Sequence, residues 1–117
     1  MAQTILIVED NEDLLECIAE EVIHLGHLPL CARSVAEARA LLAERDDIGA
    51  LLVDLELGGD LNGEQLAQYA QALRPTLHVI IATGHDAGQL SAEGRDRYPL
   101  LRKPYSLAEL AHALDLP

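Results

Sequence analysis

A chain of 117 residues, half of them hydrophobic but with no Trp or Phe, has room for one domain whose core must be built from Leu, Ile, Val and Ala. Its formal charge of −12 argues against direct nucleic-acid binding, which needs a basic face. Its apolar runs fall far short of the roughly 20 residues of a membrane span, and the acidic start at Glu9 and Asp10 does not read as a secretion signal, so the expected compartment is the cytoplasm, with no membrane insertion.

The first apolar run, Ile5–Val8, ends on Glu9 and Asp10. Leu15, Ile18, Val22 and Leu25 then recur at helical spacing, and Gly26 stands where a helix stops. Leu28–Ala32 reads as a short second strand. Ser34 with Glu37 is a capping box opening a helix on Ala38, Leu41 and Leu42. A third strand, with the run Leu51–Val53, ends at Asp54 and is followed by a loop holding Gly58, Gly59 and Gly63. A third helix carries Leu66, Ala70 and Leu73 and is stopped by Pro75. The fourth strand, Val79–Ala82, ends at Thr83. Residues 86–98 are the weakest stretch, with one short helix expected from Ala87 to Glu93. Leu100–Arg102 forms a fifth strand ending at Lys103 and Pro104, and a second capping box, Ser106 with Glu109, opens a C-terminal helix on Leu107, Leu110, Ala111 and Leu114. Cys17 and Cys31 lack metal-ligand spacing and read as free thiols.

Apolar runs without alternation are strands buried on both faces, and five strand–helix units with short connections predict an α/β, doubly wound, five-stranded parallel sheet with helices on both faces. The order 2-1-3-4-5 is expected, the order known from flavodoxin and the chemotaxis receiver. Ligands of such sheets bind at the carboxyl ends of the strands, so Glu9, Asp10, Asp54, Thr83 and Lys103 should converge on one edge. Each has a plainer reading alone. Acids suit a helix N-terminus, Asp54 and Thr83 suit turns, and Lys103 suits the surface. Two features favour a site. Crowded carboxylates are costly without a counter-ion, and Lys103 is the one lysine among eight cationic residues, a compact charge where all the others are planar arginines. The oxygen donors suit Mg²⁺, which works with phosphate groups. The Lys103–Pro104 bond, beside the site, is a candidate cis peptide. His85, two residues past Thr83, should lie beside the pocket, whereas His24, His27, His78 and His112 read as structural or exposed.

ILIVEDN, LLVDLEL, IIATG and LRKPY, in this order and spacing, resemble the receiver domains of two-component response regulators along essentially the whole chain. The resemblance implies a single receiver domain over residues 1–117 with no output domain. Asp54 would be the phosphoacceptor, and Glu9, Asp10, Asp54 and the backbone carbonyl of Glu56 would hold Mg²⁺. Thr83 and Lys103 would hold the phosphoryl oxygens, with Gly84 leaving space beside them. The implied partners are a sensor histidine kinase or histidine phosphotransfer protein and a downstream protein target. The implied role is that of a signalling domain which catalyses only its own phosphorylation and dephosphorylation. The chain departs from the commoner pattern at Gly58, where proline is frequent, and by about one extra residue before Gly63. Glu56 adds a charge at the pocket rim, Leu100 replaces a frequent aromatic, and Gly84–Pro99 is short. A haloacid-dehalogenase-type phosphohydrolase would need an Asp where Glu56 stands and leaves Glu9 and Asp10 unexplained. A pseudo-receiver that is never phosphorylated would not need every one of these residues.

Overall fold

The computed structural model describes residues 2–57, 62–84 and 97–115. In chain order these form β1 (Thr4–Val8), α1 (Glu12–His24), β2 (Leu28–Ala32), α2 (Val35–Glu44), β3 (Ile48–Asp54), α3 (Gly63–Leu73), β4 (His78–Thr83), β5 (Leu100–Arg102) and α4 (Leu107–Asp115). The strands make one parallel sheet in the order β2-β1-β3-β4-β5. The short helix expected over Ala87–Glu93, and His85, lie outside the described residues.

Alternate residues of the central strands point to opposite faces, and each face has its own core. Leu6, Val8, Leu51, Val53, Val79 and Ile81 pack with Ala38 and Leu42 of α2 and Leu66, Ala67 and Ala70 of α3. Ile5, Ile7, Leu52, Ile80 and Leu101 pack with Leu15, Ile18 and Val22 of α1 and Leu110, Ala113 and Leu114 of α4. With both faces covered, β1 has no room for a polar side chain from Ile5 to Val8, which is why it reads as an unbroken apolar run. Each such aliphatic side chain contributes about 1.5–3 kcal/mol on burial. The edge strand β2 differs. It tolerates Pro29, and Leu28 and Cys31 are exposed, because no further strand needs its hydrogen bonds.

Helix ends follow the sequence signals with two additions. Gly26, at φ +91°, closes α1: its N–H donates to the Ile23 carbonyl at 2.9 Å and that of His27 to Val22 at 3.1 Å. This is the left-handed stop that glycine takes at no steric cost. Ser106 and Glu109 form the full reciprocal box. Ser34 accepts from Glu37 N–H as expected, but the Glu37 carboxylate reaches back one residue further, to the N–H of Arg33. Two caps went unread in the sequence: Asn11 on α1, and a full Asn62–Gln65 box on α3. Leu73, expected on the buried face of α3, is 48% exposed, since Leu66, Ala67 and Ala70 already occupy the seam against the sheet.

Candidate functional site

The strand register brings the polar endings together. Val8 of β1 pairs with Val53 of β3, so Glu9 and Asp54 leave adjacent strands at the same level. Asp54 pairs with Ala82, and Thr83 with Arg102, which places Thr83 and Lys103 one step further along the same edge. Backbone bonds extend the ladder beyond the strands: Leu55 N–H donates to Ala82 at 2.8 Å, and Lys103 N–H to Thr83 at 2.8 Å.

The side chains converge within this frame. Lys103 Nζ lies 2.8 Å from Glu9 Oε1 and 3.1 Å from Asp54 Oδ2. Glu9 Oε2 accepts from Asn11 N–H at 3.2 Å, and Asp54 Oδ1 accepts from Glu56 N–H at 3.2 Å. Both carboxyls are therefore fixed in orientation. Glu9, Asp10 and Asp54 each present a carboxylate oxygen within 4.8 Å of the others; Glu9 and Asp54 are buried, and Asp10 is exposed to solvent. Three such oxygens suit a hard divalent cation.

The plainer readings of Glu9 and Lys103 do not describe what is seen, whereas the turn reading of Asp54 does hold, through the Glu56 N–H on its Oδ1. Helix α1 starts only after Asn11, and its favourable first-turn acids are Glu12 and Asp13, so Glu9 is free to turn inward. Thr83, fully buried, donates its hydroxyl to the Glu56 carboxylate. Lys103 is a half-buried double ion pair. The Lys103–Pro104 peptide is cis. Gly84 follows Thr83, and a Cβ there would meet only Lys103 Cδ, at 3.9 Å.

Charge crowding shows in the ionisation equilibria. Burial lifts the Asp54 pKa from 3.8 to about 7, the Glu56 and Glu9 carboxylates add to the rise, and Lys103 offsets part of it. Burial acts in the same direction on Glu9 and Glu56. It is outweighed for Glu9 by Lys103 and the Asn11 N–H, and for Glu56 by the Thr83 hydroxyl and Asp54, so both end below the usual carboxylate range. Burial would depress the Lys103 pKa, but its two acid partners more than compensate, and the ammonium stays charged.

Gly63 was visible in the sequence only as one more loop glycine. It is the first residue of α3, donates its N–H to Leu55 at 3.1 Å, and sits so close to the end of β3 that a Cβ would lie 2.4 Å from the Asp54 carbonyl oxygen. Only glycine lets the helix abut the strand that carries Asp54. Beside Lys103, a cavity of about 410 Å³ is lined by Leu14, Ile18, Glu21, Gly84, Pro104 and Tyr105. Leu100 is half-buried against the core on the α2–α3 side of the sheet.

Comparison with known proteins identifies the family and agrees with the fold. The family model described as response regulator receiver domain matches residues 5–115. The photosynthetic apparatus regulatory protein RegA of Cereibacter sphaeroides is 31% identical over 114 residues, covering 96% of this chain and 61% of RegA. The response regulator protein PilR of Pseudomonas aeruginosa is 34% identical over 113 residues, covering 92% of this chain and 24% of PilR. The chain thus spans less than two thirds of either relative. Among solved structures, a response regulator receiver protein from Sinorhizobium medicae superposes with a TM-score of 0.87 at 27% identity, covering 96% of this chain and 90% of that one.

Proposed function

The chain belongs to the response regulator receiver domain family, and on that premise we propose that it is a phosphorylation-controlled switch of a two-component phosphorelay, with Asp54 as the phosphoacceptor. The observation that carries this reading is the placement of Lys103 Nζ between Glu9 and Asp54, at 2.8 and 3.1 Å. Phosphoryl transfer asks little covalent chemistry of the protein and depends on positioning and charge neutralisation. Asp54 supplies a carboxylate oxygen as nucleophile. Its orientation is set by the Glu56 N–H on one oxygen and Lys103 on the other. The donor is a phosphohistidine presented by a sensor histidine kinase or a histidine phosphotransfer protein. A P–O bond to Asp54 forms as the P–N bond breaks, and the electron pair stays on the histidine nitrogen.

Glu9, Asp10, Asp54 and the backbone carbonyl of Glu56 would hold Mg²⁺, and the three carboxylate oxygens grouped within 4.8 Å fit it. Bound there, Mg²⁺ supplies neutralising charge to the transferring phosphoryl group. Lys103 provides the cation that the chain itself contributes. Thr83 and Gly84, at the end of β4, lie where the phosphoryl group would be felt, and through them the domain would change its contacts with a downstream protein. The phosphohydrolase alternative has lost its footing, because the family is a signalling one and the Glu56 carboxylate is engaged with Thr83.

Acetyl phosphate with Mg²⁺ should add one acid-labile phosphoryl group to the wild-type protein, detected by intact mass, and none to Asp54→Ala. An acid-stable phosphoryl group mapped to another residue, such as Ser106, would overturn the assignment.

A further inference from the structure

Glu56 follows Asp54 by two residues, and its two ends do different things. The backbone N–H donates to Asp54 Oδ1 at 3.2 Å. The side chain turns back across the sheet edge, where its Oε1 accepts the hydroxyl of Thr83, 27 residues away on β4, and a side-chain hydrogen bond with Asp54 and the backbone N–H of Gly84 further favour its charge. A buried hydroxyl held by a carboxylate is a charge-assisted bond, stronger than a neutral one. Thr83 has a single hydroxyl proton to give. Carboxylate and phosphoryl oxygens are both anionic acceptors, so one donor cannot serve both, and the two anions repel at this range.

We infer that Glu56 is a built-in anion that occupies the Thr83 hydroxyl in the unphosphorylated domain, so that a phosphoryl oxygen reaches Thr83 only after the Glu56 side chain has left. This rests on Asp54 being the phosphoacceptor and adds a regulatory contact to that site. Glu56 is only partly buried, which gives its carboxylate a short path to water, whereas Thr83 is fully enclosed and cannot seek another position cheaply. The competitor thus yields and the donor stays. The contact holds the end of β4 in its resting arrangement and raises the threshold that an incoming phosphoryl group must exceed. It also supplies a use for an acid that an already crowded carboxylate cluster would otherwise disfavour.

Two measurements test this. In metal-free protein, the carbon-13 shift of the Glu56 carboxyl should move on Thr83→Val, and an unmoved resonance overturns the contact. With Mg²⁺ present, beryllium fluoride, an analogue of the phosphoryl group, is titrated by fluorine NMR into wild type, Glu56→Gln and Glu56→Ala. Glutamine loses the charge but keeps an acceptor oxygen; alanine loses both. Affinity should therefore rise from wild type to Glu56→Gln to Glu56→Ala, with the alanine variant tighter than wild type by about tenfold or more, the scale of one hydrogen bond to a charged group. Equal gains in the two variants would reduce the effect to charge repulsion and overturn the latch. So would unchanged or weakened binding. If wild type fails to bind beryllium fluoride at all while the carboxyl shift still responds to Thr83→Val, the phosphoacceptor reading itself falls, and the gating role with it.

Discussion

Replacing Asp54 by Asn should make the metal-free protein more stable above neutral pH, although it removes one of the two acids paired with Lys103. Asp54 is 7% exposed, and its pKa rises from 3.8 to about 7, chiefly through burial and then through the neighbouring Glu56 carboxylate. A raised carboxyl pKa means that the folded protein holds a proton which the unfolded chain has already released. Stability from this group is complete below about pH 4 and is lost as pH rises towards 7, at about 1.4 kcal/mol per pH unit. The full span comes to about 4 kcal/mol. Solvent on the Asp10 side of the pocket screens the crowding, so roughly 2–3 kcal/mol is the expected difference. Asn has no proton to lose and keeps an oxygen for the Glu56 N–H. The two proteins should match near pH 4 and separate progressively to pH 8, where the variant melts higher by about 10 °C, taking roughly 3–6 °C per kcal/mol at this chain length. Thermal or urea melts across pH 4–8 in chelator read this directly, and the difference between the two curves removes the contributions of the other acids. Parallel curves would show that Asp54 is not held in a crowded, buried carboxyl cluster.

Magnesium should act on the same crowding. At ten times its dissociation constant, and at pH 8, it should stabilise wild type by about 1.4 kcal/mol through mass action, and Asp10→Asn should blunt the shift; an unchanged wild-type midpoint would count against the pocket. Gly63→Ala should cost about 1–3 kcal/mol, because its Cβ would lie 2.4 Å from the Asp54 carbonyl oxygen and 2.8 Å from Leu55 Cα. Gly84→Ala, whose Cβ meets only Lys103 Cδ at 3.9 Å, should change stability by less than about 0.5 kcal/mol. Equal effects of the two glycine substitutions in thermal melts would refute the packing argument.

Much of this architecture is written locally. The unbroken apolar runs identify strands buried on both faces, and the residue ending each run is the one delivered to the sheet edge, so Glu9, Asp54, Thr83 and Lys103 were legible as a set. Ser34, Ser106 and Gly26 mark helix ends through bonds that span only a few residues, and such bonds are visible in a linear string. The Asn62–Gln65 box has the same form, and it follows a glycine-rich stretch whose composition does not itself mark a helix start. The exposure of Leu73 depends on which face is already taken, and helical periodicity does not carry that.

The behaviour of the site was decided only by the fold. Its acids, hydroxyl and ammonium come from four strand ends separated by up to 94 residues in the Glu9–Lys103 pair, and their separations are set by register across the sheet. Nothing in the chain near Glu56 says that its carboxylate will accept from Thr83. From sequence it was a rim charge whose backbone carbonyl faced a metal. Nor does the chain near Asp54 reveal the burial that is the largest cause of its raised pKa. Periodicity and capping are properties of neighbouring residues, whereas desolvation and hydrogen bonding act through distances that exist only once distant strands are paired.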